Sequence, residues 1–137
     1  MGKKNKIMLS VFLLVLVANV LLSAAWVFWP SEGKAIFYLQ ETGVTVENPL
    51  TYMEAVQVKQ ILYGKIRWPE WIYGYPACGY GKIFAINLDG TYYMPAWDSC
   101  GMVAVWDSDR DVYRYINVTQ RQIAILEQMI VAQETMK

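Results

Sequence analysis

Histidine is absent from this chain of 137 residues. Without an imidazole there is no Ser-His or Cys-His catalytic pair, no His-ligated metal ion and no histidine pH switch. Cysteine is scarce too, because Cys78 and Cys100 are the only two and the chain has no Cys-x-x-Cys motif. We therefore predict no catalytic residues, no metal site and no cofactor.

Charge is absent from residues 7–29, which form one apolar run. A helix of about 20 apolar residues crosses a bilayer because it satisfies its own backbone hydrogen-bonding groups. Three lysines precede the run, which predicts a cytoplasmic N-terminus and the rest of the chain outside. We predict that residues 1–30 are a signal anchor, that residues 7–29 contact the membrane, and that the protein is single-pass in the cell membrane. The lysines are Lys3, Lys4 and Lys6, and the polar residues within the run are Ser10, Asn19 and Ser23.

A cleaved signal peptide is the alternative for this segment. Ser23-Ala24-Ala25 supplies small residues where a signal peptidase cuts. We favour the uncleaved anchor because the apolar run continues for four residues past Ala25. Cleavage near Ala25 would leave a secreted protein, and both alternatives place residues 31–137 outside the cytoplasm.

The remaining chain predicts one small α+β domain. Two capping boxes, Thr51 with Glu54 and Thr119 with Gln122, each precede apolar residues at helical spacing and so predict two helices. We expect Asn48 and Pro49 to break the second strand, and we expect an antiparallel meander sheet with both helices packed on one face. The predicted helices are 51–63 and 119–132, and the predicted strands are 35–39, 44–46, 82–88, 91–97, 102–106 and 112–116.

Asp89-Gly90 stands between two strand-like runs, which predicts a β-hairpin. Two loop lengths fit. A loop of three residues starting at Leu88, with Gly90 in a bulge, would set Ile86 opposite Tyr92. A two-residue loop would shift that pairing by one position. We favour the three-residue loop because it would bring the two cysteines opposite each other.

The cysteines flank this hairpin. The three-residue loop would bring Cys78 directly opposite Cys100, whereas the two-residue loop would place Cys78 opposite Gly101. Two cysteines in an oxidising compartment that can be brought together most simply form a disulfide. We therefore predict a Cys78–Cys100 bridge.

Alternating carboxylates at Asp107, Asp109 and Asp111 match the opening of an EF-hand calcium loop. That loop also requires glycine at its sixth position and glutamate at its twelfth. Here those positions are Val112 and Val118. A solvated hairpin turn is therefore the favoured interpretation, and we predict no calcium site.

An aromatic stretch punctuated by proline and glycine follows the first domain helix. Aromatic residues at this density most often pack against the core, but they can also stack on sugars or contact a partner. We treat five of its residues as a possible binding surface. They are Trp68, Glu70, Trp71, Tyr73 and Tyr75.

From Cys78 to about Ile130 the chain has a pattern of Cys78-Gly79, a hairpin ending in Asp98-Ser99-Cys100, a further hairpin reaching Tyr115-Ile116-Asn117, and a capped C-terminal helix. With this pattern the stretch resembles small bacterial membrane-tethered or secreted domains of unknown function. This resemblance covers less than half of the chain. It implies a disulfide and a place in the bacterial cell envelope, and it implies no activity.

Net charge argues against nucleic acid as a partner. Nine basic residues remain beyond residue 30 against twelve acidic ones, so the domain is mildly acidic. We predict a non-catalytic, membrane-anchored binding or interaction module of the bacterial envelope, with the membrane and an envelope protein as partners. The alternative is a carboxylate-based hydrolase acting on an envelope glycan through Glu70 and Asp98, whose separation nothing in the sequence determines.

Overall fold

The computed structural model describes residues 2–39, 42–69, 79–96, 101–107 and 112–132. The chain divides into two compact units, Met1–Pro30 and Ser31–Lys137. The described residues confirm the α+β class. Their elements are α1 (Lys3–Phe28), β1 (Gly33–Leu39), β2 (Val44–Pro49), α2 (Tyr52–Leu62), β3 (Trp68–Pro69), β4 (Phe84–Leu88), β5 (Thr91–Pro95), β6 (Met102–Asp107), β7 (Val112–Asn117) and α3 (Gln120–Val131).

The first unit is the helix α1, which is long and apolar enough to span a membrane. Its 26 residues extend for about 39 Å at 1.5 Å per residue, against about 30 Å for the hydrocarbon core of a bilayer. The large apolar side chains from Ile7 to Leu22 are all exposed. A helix that is apolar on every side is suited to lipid rather than to water. Its orientation in a membrane stays a prediction.

The second unit contains one antiparallel sheet of seven described strands in the order β2-β1-β4-β5-β6-β7-β3. Strands β4 to β7 form the predicted meander. Two strand predictions were wrong at the edges. Strand β2 continues to Pro49, which pairs with Lys34 and is tolerated because β2 is an edge strand. The two-residue strand β3, where Trp68 pairs with Tyr115, falls in the aromatic stretch, for which no strand was predicted.

The β4–β5 hairpin has a two-residue loop, so the three-residue prediction was wrong. Asp89 and Gly90 have φ values of 50° and 90°, both in the left-handed region that a tight two-residue hairpin turn requires. Asn87 supports the turn by accepting a hydrogen bond through Oδ1 from the Gly90 N–H at 3.0 Å. Ile86 consequently pairs with Tyr93 rather than with Tyr92.

This register removes the argument that set the two cysteines opposite each other. Cys78 and Cys100 themselves lie outside the described residues. The disulfide therefore remains a prediction that depends on compartment and on resemblance.

Both helices of the second unit begin at the predicted capping boxes. The Thr51 hydroxyl accepts from the Glu54 N–H at 3.3 Å, and the Thr51 N–H donates to the Glu54 carboxylate at 2.8 Å. Thr119 and Gln122 repeat this exchange at 3.2 and 3.0 Å. Each box satisfies two N–H groups that a helix start leaves without partners.

The main core lies between these two helices and one face of the sheet, as predicted. Helix α3 lies against β1, β4 and β5 and contacts α2. Its buried stripe faces the sheet, and α2 adds a second buried row. The stripe residues are Ile123, Leu126, Met129 and Ile130, and they pack with Val58, Ile61, Ile86, Val103, Val105 and Ile116.

Candidate functional site

The sheet face that points away from the helices carries a cluster of aromatic side chains. Successive residues of a strand point to opposite faces, and directly paired residues point to the same face. Tyr92 pairs with Trp106, and Trp106 pairs with Tyr113, so one row of rings crosses three strands. We call this cluster the aromatic face. It comprises Tyr80, Tyr92, Trp106, Tyr113 and Tyr115, the methionines Met94 and Met102, and Lys82, whose ammonium lies over two of the rings.

Tyr115 occupies the centre of the aromatic face. Its side chain is only 1% exposed, and it packs with Met94 and with two alanines, Ala85 and Ala104, whose small side chains leave room for it. The Tyr80 ring stands edge-on to Tyr115 at 5.9 Å, and their hydroxyls are hydrogen-bonded at 2.7 Å. The centre is therefore a second, smaller core on the far side of the sheet.

The rim of the aromatic face is half-buried and carries a positive charge. The Lys82 ammonium lies 3.2 Å from the centroid of the Trp106 ring and 5.7 Å from that of Tyr92. The two rings are themselves in contact, with centroids 5.5 Å apart. Such a cation–π contact contributes about 0.5–1 kcal/mol at an exposed site.

Lys82 forms no ion pair within the part of the chain that the structure describes. The other lysine on this face, Lys34, lies 3.9 Å from the Glu47 carboxylate, and both side chains are more than half exposed. A pair this exposed contributes little to stability. Lys82 is therefore the positive charge that the rim presents beside its aromatic rings.

Exposed ring surface beside an ammonium can stack on a sugar or a partner side chain and attract an anionic group. For proton transfer or metal binding, the described residues offer less. No group of three His, Cys, Asp or Glu side chains within them could hold a metal ion. The aromatic rings and the ammonium of the aromatic face are suited to binding.

Of the five residues predicted to form a binding surface, the structure describes one, Trp68. Trp68 lies half-buried in β3, and because it pairs with Tyr115 it points to the same side of the sheet as the aromatic face. The other four candidates, like Asp98 of the hydrolase alternative, lie outside the described residues. They are Glu70, Trp71, Tyr73 and Tyr75.

Sequence reasoning named Tyr80 as an aromatic residue that could stack on a ligand, but it missed the rings of the later strands, Tyr92, Trp106, Tyr113 and Tyr115. The signal was present, because aromatic residues recur at alternate positions of the last strands, as at Tyr113 and Tyr115. Such alternation marks one face of a strand. Only the strand order shows that the rings of β5, β6 and β7 form one row.

A second polar contact lies on the helix side of the sheet. The buried Tyr93 hydroxyl accepts a hydrogen bond from the Arg67 guanidinium at 3.1 Å, and the guanidinium carbon lies 5.8 Å from the Tyr93 ring centroid. Burial raises the pKa of Tyr93 above its ordinary value of 10.0, although Arg67 opposes that shift. The contact attaches the segment after α2 to the core.

Tyr93→Phe is expected to reduce the loss of stability at alkaline pH. Because its pKa is raised in the folded state, Tyr93 contributes stability below its ordinary value of 10.0 that is lost as pH rises through the folded value. Urea unfolding of the full-length protein in detergent micelles, from about pH 8 to about pH 11, measures this loss. Tyr63→Phe is the matched control, since its side chain is 53% exposed. An equal pH slope in the wild type and in Tyr93→Phe would contradict the prediction.

Comparison of the chain with family models, with curated proteins and with solved structures gave no match.

Proposed function

We propose that this protein is a membrane-anchored, extracytoplasmic binding or interaction module of the bacterial cell envelope, and that it is not an enzyme. One observation carries the proposal. A helix whose large apolar side chains from Ile7 to Leu22 are all exposed is joined to a small sheet domain that bears an aromatic face. The helix is suited to a membrane, and the aromatic face is suited to binding a partner.

Anchoring is supported by the length and surface of α1 and by its flanking charge. The three N-terminal lysines favour a cytoplasmic N-terminus, which puts Ser31–Lys137 outside. That side of a bacterial membrane is oxidising, in keeping with a Cys78–Cys100 disulfide. The bacterial placement itself comes from the resemblance.

The partner we propose is an envelope protein, bound at the rim of the aromatic face. Tyrosine, tryptophan and methionine are enriched where proteins bind one another. Tyrosine and tryptophan supply a large contact area with few rotatable bonds, and methionine adapts its shape to a partner. Tyr92, Trp106, Tyr113 and Met102 are of these types and are half-buried. Trp68 extends the same side of the sheet toward the edge strand β3.

Site-specific photo-cross-linking in native membranes tests the binding surface. A photoreactive residue at Tyr113 should give a discrete adduct with the same neighbouring protein in repeated experiments. One at Gln128, exposed on α3, is the matched control and should give none. Adducts of equal yield at both positions, or none at either, would reject the aromatic face as the partner surface.

Compartment and disulfide are tested on the same membranes. The mature chain should begin before Ala25, and protease added outside the membrane should digest the domain.

Alkylation of the unfolded protein should modify neither Cys78 nor Cys100 before reduction and both after it. Two thiols alkylated without reduction would exclude the disulfide, and a chain beginning after Ala25 would show a secreted protein.

A further inference from the structure

Asn19 lies near the middle of the candidate membrane span. At 1.5 Å per residue it is about 18 Å along the helix from Ile7 and about 14 Å from Phe28. Its side chain is exposed on the surface of α1. If α1 stays in the membrane, as the proposed function requires, this carboxamide meets hydrocarbon at the depth where water is scarcest.

The helix itself satisfies only part of this carboxamide. One N–H donates to the Val15 carbonyl at 2.9 Å. A carboxamide has a second N–H and an oxygen that accepts, and within residues 2–39 no hydrogen bond reaches that oxygen. By contrast, the hydroxyls of Ser10 and Ser23 donate their single hydrogens to carbonyls one turn earlier. Asn19 is therefore the polar side chain of the span that keeps both a donor and an acceptor for another molecule, whereas each serine keeps only acceptor capacity.

Asn19 belongs to a seam of side chains on one side of α1. The seam follows alternating steps of three and four residues, the spacing by which two helices pack along a left-handed crossing. Ser23, the next seam residue after Asn19, is small and permits close approach of a second helix. The seam residues are Leu9, Phe12, Leu16, Asn19 and Ser23.

We propose that α1 pairs in parallel with α1 of a second copy of this chain, and that the two Asn19 carboxamides hydrogen-bond to each other. A carboxamide is its own complement, because it carries both a donor and an acceptor. Around a two-fold axis, a residue near the axis meets its own counterpart at the same depth. Copies inserted with the same orientation are parallel, so Asn19 faces Asn19 and each oxygen gains a partner.

The test compares dimerisation of the full-length protein and its variants in detergent micelles, by sedimentation over a range of protein-to-detergent ratios. Asn19→Leu should weaken dimerisation by about 5- to 30-fold, the range expected for an interhelical hydrogen bond. Asn19→Gln keeps the carboxamide and should retain most of the affinity. Ser10→Leu is the matched control, because it removes a polar residue from the opposite side of the same helix, and should have no effect.

Three results would overturn the pairing. They are a monomeric wild type at every ratio, an Asn19→Leu variant as dimeric as the wild type, and an equal loss in Ser10→Leu. Cross-linking of α1 in native membranes would overturn the proposal that the partner is a second copy of this chain if it captured only a different protein and did so only when Asn19 is present. N-terminal sequencing separates this proposal from the proposed function. A full-length monomer in the membrane rejects the pairing alone, whereas a chain beginning after Ala25 rejects both.

Discussion

Leu126→Ala is expected to lower the free energy of unfolding by about 2–5 kcal/mol. Leu126 is 0% exposed and lies in the middle of the buried stripe of α3. Its neighbours in the core come from α2, including Val58, and from the sheet, including Ile86. Because these elements enclose it, the structure can only partly collapse into the space that alanine leaves, and a cavity adds to the lost burial.

Denaturant unfolding of the full-length protein, followed by tryptophan fluorescence, measures the effect of Leu126→Ala. Val131→Ala is the matched control, because Val131 ends the same helix with 41% of its side chain exposed. We expect this control to change stability by no more than about 0.5 kcal/mol. Equal effects of the two substitutions would mean that α3 does not pack on the sheet through its buried stripe.

The helices were predictable from sequence because their determinants are local. At Thr51 and at Thr119, cap and capping partner are three residues apart, and the buried residues that follow recur within one or two turns. The apolar run of α1 needs no knowledge of the remaining chain either. A short window therefore contains all the information that these elements require.

Strand pairing was less predictable because its determinants lie far apart in the chain. The hairpin register depended on a single residue, Asp89. Because Asp89 adopts the left-handed conformation, the loop consists of Asp89 and Gly90 alone, and Leu88 is part of the strand. Asp tolerates this conformation better than most residues, but its occurrence cannot be inferred from the flanking pattern. Strand β3 depends wholly on β7, which follows it by more than forty residues.

The candidate site was only partly predictable for the same reason. Sequence reasoning favoured contiguous residues, and the stretch that begins at Trp68 is the densest aromatic segment. The structure instead assembles Tyr92, Trp106 and Tyr113 from three different strands. Lys82 acquires its significance only from the Trp106 ring beneath it, a contact between residues that are distant in sequence.

Tyr115→Ala is expected to lower the free energy of unfolding by about 3–5 kcal/mol, as deletion of a large buried aromatic ring does. The ring is almost wholly buried at the centre of the aromatic face, with Met94 beside it. Its loss also removes the hydrogen bond of 2.7 Å between the Tyr80 and Tyr115 hydroxyls. The loss of this hydrogen bond adds to the cost of the cavity.

Tyr113→Ala is the matched control, since Tyr113 lies on the same strand and the same face but is half-buried. It should cost clearly less stability than Tyr115→Ala and should still impair capture of the envelope partner. Denaturant unfolding measures the change in stability, and photo-cross-linking from a photoreactive residue at Tyr92 measures capture of the partner, so the two effects are separated. If Tyr115→Ala destabilised no more than Tyr113→Ala, the aromatic face would not contain a second core. The sheet can present aromatic rings at the half-buried rim because the centre of the same face is buried and packed.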